Sequence, residues 1–169
     1  MKRNAVNIRD EHPHDFKAIV RVHRAAFPTP AEAELVESLR EGGELVASLV
    51  AIHAGAIIGH VALSSAKVIG EARTAKIAWL APLAVLPEHQ HRGIGSALVG
   101  AGTEACKALK LDGIVVVGDL AFYGRLGFDP GAAQKFASRF AGPHLVMLPL
   151  CTAALEGVLT EPKAFSLLA

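Results

Sequence analysis

Several things are scarce in this chain, and each scarcity narrows what it does. Only two cysteines occur in 169 residues, Cys106 and Cys151, far apart and in no CxxC pair. Two buried thiols in a reducing compartment are therefore a simpler expectation than one disulfide. Aromatic residues make up 5% of the chain, with a single tryptophan and a single tyrosine. The core must accordingly come from Leu, Val, Ile and Ala. Neither charge sign is in excess, 17 Lys and Arg standing against 16 Asp and Glu. A nucleic-acid partner would call for a basic face or run, so none is expected. Every apolar run is interrupted well before the ~18 residues that a membrane span needs. Met1-Lys2-Arg3-Asn4 leads into mixed polar sequence rather than an apolar stretch, so no signal peptide and a cytoplasmic location are the expectation.

What is abundant is apolar sequence, 51% of all residues, enough to offset the chain entropy of one compact domain over residues 1–169. Alternation from Ala5 to Arg9 predicts a first strand. Phe16, Ile19, Val20, His23 and Phe27 fall at helical spacing and end at Pro28-Thr29-Pro30. A second helix is predicted from Ala31 to Arg40, stopped by Gly42-Gly43. Leu45–His53 and Ala56–Val68 then read as a hairpin around Ala54-Gly55. Ala75–Leu86 reads as a further strand in which Pro82 marks an edge, a bulge or a splay point. An amphipathic helix follows from Ile94 to Leu109, then a strand at Ile114–Val117, a short helix near Leu120–Leu126 and a strand at His144–Leu150. The segment after Cys151 gives no clear pattern. This order predicts a mixed α/β domain with one strand–helix–strand crossover near its centre.

The chemistry concentrates where the strand ending Leu83-Ala84-Val85 meets the helix opening near Ile94. A helix N-terminus presents unpaired N–H groups and a partial positive charge, which suits phosphate. Gly93 and Gly95 allow close backbone approach, and Gln90 and Arg92 add donors beside them. A third glycine for a dinucleotide loop is missing, as is the Lys-Ser/Thr pair of a P-loop.

Leu83-Ala-Val-Leu-Pro-Glu-His-Gln-His-Arg-Gly-Ile-Gly-Ser-Ala-Leu98 resembles the acetyl-CoA signature of the GNAT superfamily of N-acetyltransferases, matched at Gln90, Gly93 and Gly95. Gly118-Asp-Leu-Ala-Phe-Tyr-Gly-Arg-Leu-Gly-Phe128 is similar to the later motif of that superfamily, and the two blocks together look like its YhbS-like bacterial branch. The asparagine found upstream of the tyrosine in other branches is replaced by the Gly118-Asp119 region. The resemblance implies a GNAT-like single domain, with a central, mostly antiparallel twisted sheet splayed at the cofactor strand and flanked by helices. It implies acetyl-CoA as the acyl donor and no metal. The backbone of Leu83, Ala84 and Val85 would pair with the pantetheine arm. The amides of His91, Arg92, Gly93, Ile94, Gly95 and Ser96 would hold the pyrophosphate, and Tyr123 would protonate the departing thiolate. The acceptor would be an amine on a small molecule or a protein, and a homodimer is common among such proteins. A non-catalytic acyl-CoA sensor and a transferase for another acyl-CoA are the competing expectations; the tyrosine argues against the first.

No general base is visible. The strand Ala75–Leu86 contains no carboxylate. Glu88 reads as a loop residue facing solvent, and His53 and His60 read as structural, hydrogen-bonded histidines. His89 and His91, without a third ligand, read as coenzyme or solvent contacts rather than metal ligands. Lys107, Lys110 and Arg125 are helix-surface charges within conceivable reach of a 3′-phosphate. Trp79 is assigned to core packing or the acceptor cleft, and Cys106 to packing.

Overall fold

The computed structural model describes residues 5–168. Its elements are β1 (Asn7–Asp10), α1 (Phe16–Ala26), α2 (Ala31–Glu41), β2 (Leu45–His53), β3 (Ala56–Ile69) and β4 (Thr74–Val85). Then come α3 (Ile94–Ala108), β5 (Gly113–Val117), α4 (Leu120–Tyr123), β6 (Phe136–Ala137), β7 (Leu145–Pro149) and β8 (Gly157–Leu159). Local chemistry sets the main boundaries. Phe27 precedes a proline, whose ring disfavours helical backbone at the residue before it. It accordingly lies extended, at φ −120° and ψ 149°, and ends α1. Past the end of α2, Gly43 takes φ +67°, the left-handed conformation that lets the chain turn back.

Strand alternation then sorts the core into two layers. In β4, Ala78 and Leu80 face the layer that holds Leu98, Val99 and Cys106 of α3. Ile77 and Trp79 face the opposite layer, with Leu35 and Leu39 of α2. In β5 the same rule sends Ile114 and Val116 one way and Val115 the other. The sheet is therefore covered on both faces, α3 on one and α1 with α2 on the other. Burying a side chain such as Leu98 stabilises this sandwich by about 2 kcal/mol.

The sheet runs β1-β2-β3-β4-β5-β7. Only β4–β5, joined by the α3 crossover, and the short β6–β8 pair are parallel. This is the mixed, mostly antiparallel α/β arrangement predicted above, with boundaries displaced by one or two residues. The segment after Cys151 acquires its place through tertiary contact: β8 pairs with the end of β3, Val68 facing Leu159, and Phe165 is buried beside Trp79. No helix among the described residues is long and apolar enough to cross a membrane.

Two irregularities in β4 create the site. Between Val61 and Leu63 of β3 the pairing moves from Leu83 to Leu80 on β4, so Ala81 and Pro82 bulge out of register. Pro82 has no N–H to offer a neighbour, which makes it a tolerable bulge residue. On the other edge, β4 and β5 pair only at Ile77↔Gly113, Ala78↔Ile114 and Trp79↔Val115. Both strands continue beyond that point without pairing to each other, so the sheet opens and leaves Leu80–Val85 with a free edge on that side.

Candidate active site

On the α3 side of the opening lies a cleft of about 680 Å³ lined by Leu83, Val85, residues 89–91 and 93–96, Phe122 and Arg125. Its floor is the start of α3. Ile94, Gly95 and Ser96 occupy the first helical turn, where amides have no partner one turn earlier in the helix and point outward. Gly93 reaches this turn at φ +82°, and His91 sits at φ +61°, an uncommon conformation for a side-chain-bearing residue. Gly95 faces Phe122, and a Cβ there would project into the cleft at 3.5 Å from that ring. Chemically, such a turn of outward backbone donors is suited to act as an anion cradle.

The predicted cofactor residues divide by role. Leu83, Val85, Gln90, His91, Gly93, Ile94, Gly95 and Ser96 line this cleft. The Gln90 amide nitrogen donates to the Val85 carbonyl at 3.0 Å, which ties the loop to the strand end. Ala84 turns its side chain to the opposite face, among Val50 and Ala62, so only its backbone belongs to the free edge. Arg92 is exposed and outside the lining, whereas Arg125 is inside it. Lys107 pairs with Glu104 on the surface.

A second cleft, of about 420 Å³, lies on the other side of the opening. Leu83 and Phe122 line both clefts, so the two meet across the unpaired edge of β4. Tyr123 lines the second one. Its helix, α4, is fixed by the Asp119 carboxylate accepting from the Ala121 amide at 3.0 Å. The tyrosine ring stands edge-on to Phe122 and Phe128, at 4.8 and 5.3 Å between centroids. It also lies directly on Gly118, where an added Cβ would meet its Cδ2 at 2.7 Å and its Cε2 closer still. Burial pushes the phenol up to about 12, so the hydroxyl stays protonated throughout the neutral range. The aromatic wall is completed by Trp79, Phe140 and Phe165. Trp79 is packed in the core, being 2% exposed, and also lines this cleft, while its Nε1–H is spent on the Thr160 carbonyl at 2.9 Å.

Residue-pattern reasoning missed Phe122 and Glu32 as lining residues. The aromatic beside Tyr123 was a usable signal for the first. Nothing in sequence spacing connects Glu32 of α2 to a strand fifty residues away.

The histidines read as structural are only partly so. His60 is fully buried, its Nε2 bonded to Ser48 Oγ at 2.7 Å and its Nδ1 to His23 Nε2 at 2.8 Å. His53 instead leaves a buried Nδ1 without a hydrogen bond and stands edge-on to His89, 5.7 Å between centroids. Cys106 is buried and its thiol is pushed up to about 11 by desolvation, which leaves it inert. Both cysteines are free, and Cys151 is half-buried rather than enclosed as expected. His12, His14 and Asp15 bring ligand-type atoms within 4.8 Å of one another. Both Asp15 oxygens, however, already accept hydrogen bonds from Arg9. A larger cavity of about 710 Å³ lies between the β3–β4 turn and the 154–158 segment, and contains none of these residues.

Comparison with known proteins bears on the family and the fold. Residues 13–128 match the acetyltransferase (GNAT) family. The uncharacterized N-acetyltransferase YhbS of Escherichia coli (strain K12) is 37% identical over 138 residues, 80% of either chain. The crystal structure of E. coli YhbS in complex with CoA superposes with a TM-score of 0.90 at 31% identity, covering 98% of this chain and 94% of that one. A GNAT family acetyltransferase from Brucella melitensis, in complex with acetyl-CoA, gives a TM-score of 0.80 at 30% identity over 96% of this chain and 99% of that one. With residues 13–128 matched and a relative this similar across most of its length, the chain belongs to the acetyltransferase (GNAT) family.

Proposed function

We propose that the chain, acting as one domain, is an N-acetyltransferase that moves an acetyl group from acetyl-CoA directly to an amine. The supporting observation is that the anion cradle and the Tyr123 cleft share Leu83 and Phe122 across the open edge of β4. In this reading the pyrophosphate rests on the amides of residues 91–96, with Arg125 beside it. The pantetheine arm pairs with the free backbone of Leu83, Ala84 and Val85. The thioester then emerges beside Tyr123. YhbS with CoA and the Brucella protein with acetyl-CoA, both structurally similar, support the choice of coenzyme. The bacterial relatives and the two free cysteines favour a bacterial cytoplasm, where thiols stay reduced.

The reaction balances simply. The amine, having lost one proton from its ammonium form, attacks the thioester carbon. The tetrahedral adduct expels the coenzyme as thiolate and loses the second nitrogen proton. A phenol raised to about 12 is a weaker acid than a thiol near ~8.5, so full proton transfer from Tyr123 alone runs uphill. Its role is to donate a hydrogen bond to sulfur as charge develops, the net proton arriving from the amine. Tyr123→Phe should lower kcat on the order of 10- to 100-fold while changing the acetyl-CoA affinity little. Thiol release over a panel of amines, with coenzyme affinity by calorimetry, checks this. Unchanged turnover in the variant would refute the assignment. Coenzyme binding with no thiol release for any amine would indicate a sensor instead.

A further inference from the structure

The acceptor side of the site has an unusual chemical make-up. The walls of the 420 Å³ cleft are apolar or aromatic almost throughout, and Glu32 is the only charged side chain among them. Its Oε2 is enclosed, yet accepts no hydrogen bond from any described protein group. Glu32 as a whole is half-buried, and a carboxylate on a cleft wall with one oxygen enclosed and unpartnered is a place where a ligand can supply the missing donor. The only other polar side chains in the lining are Tyr123 and Trp79, and the indole N–H of Trp79 is already spent. Arg139, the cation adjoining Phe140, is committed to Glu161 and to the carbonyls of Phe165 and Leu168.

A favourable first-turn position explains why an acid is accepted in α2, since the helix dipole attracts negative charge there. It does not explain the enclosure. Glu34 occupies the same turn and faces solvent, which is all that the dipole requires.

Resting on the acetyltransferase reading, we infer that Glu32 is a specificity-determining residue, and that the acceptor is a small primary amine with one positive charge on an apolar, aromatic-compatible body. Glu32 receives the ammonium group on entry, while Phe27, Leu35, Trp79, Phe140 and Phe165 enclose the body. The volume is near the lower end of ligand sites, so the body is compact. The lining contains no cation to receive a carboxylate and no second acid to receive another ammonium. Amino acids and polyamines are therefore disfavoured.

The test compares 2-phenylethylamine with L-phenylalanine, spermidine and a lysine-containing peptide, in the wild type, Glu32→Gln and Glu34→Gln. Thiol release gives kcat/KM, and calorimetry on the CoA-saturated protein gives amine affinity. We expect 2-phenylethylamine to be preferred at least on the order of 10-fold over the other three. Glu32→Gln should weaken its binding and its kcat/KM on the order of 10- to 100-fold, mainly through KM. Glu34→Gln should change neither. Unaltered CoA affinity in Glu32→Gln shows that the variant is folded. Preference for the amino acid, the polyamine or the peptide overturns the inference, as does indifference to Glu32→Gln or the absence of phenylethylamine binding. Failure of the wild type to bind CoA would instead overturn the acetyltransferase reading beneath it.

Discussion

At Gly118 one missing side chain positions another. The Tyr123 ring lies so close to this backbone that a Cβ would sit 2.7 Å from its Cδ2. Gly118→Ala must therefore push the ring away or distort the end of β5. Overpacking of this kind costs about 1–3 kcal/mol, and here the displaced group is the one proposed to lie beside the thioester. The expected outcome is a fall in kcat comparable with that of Tyr123→Phe, with coenzyme affinity retained because the anion cradle lies on another element. Urea unfolding and steady-state kinetics check the two parts separately. In the sequence, Gly118-Asp119 registered only as a departure from a familiar asparagine. Its contact with a residue five positions later exists only once the chain turns into α4. Gly93 and Gly95 were legible because their task is local, a tight turn and an open approach at a helix start. Glu32 was not, because its meaning depends on which strands it ends up facing.

Among the elements, β4 was the most legible and the C-terminal segment the least. Pro82 announced a disturbance in β4, and the structure resolves it as a bulge toward β3 beside an unpaired edge toward β5. The segment from 157 onward has no periodic pattern because its strand is three residues long and its stability is borrowed. Glu44, just before β2, supplies part of it, its carboxylate accepting from the amides of Lys163 at 2.7 Å and Ala164 at 3.2 Å. That latch holds Phe165 against Trp79 and so shapes the cleft proposed for the acceptor. Glu44→Ala should cost about 1–2 kcal/mol, the range for a lost charged cap. It should also raise the acceptor KM and speed hydrogen exchange of the 163–168 amides, while acetyl-CoA affinity stays within about threefold. Unchanged exchange in that segment would show that the latch is not what holds it.

For the molecule as a whole, the polar chain through its interior sets how it meets acid. His23 of α1, His60 of β3 and Ser48 of β2 are hydrogen-bonded in series across three elements. The Glu11–Arg40 ion pair lies alongside, Glu11 Oε2 being 3.9 Å from His60. The helical spacing placed His23 on a buried face, but its partner lies 37 residues away in sequence, beyond any local pattern. Desolvation lowers His23 to about 4 and holds His60 well below the usual value. An unfolded chain binds protons at both sites near pH ~6.5, whereas the folded chain resists until far lower pH. Stability is therefore complete above pH ~6.5 and declines as the pH falls toward ~4, by about 3 kcal/mol for His23 alone. Asp15 acts in a different window. The hydrogen bond from Arg9 is the main reason its carboxyl is lowered to about 2, so its contribution is present above ~3.9 and is lost only below that. Urea unfolding free energies measured from pH 7 to 3 should thus fall in two stages. His23→Gln should flatten the first stage and leave the second in place. A single decline confined below pH 4 would mean that the buried histidines do not govern acid stability.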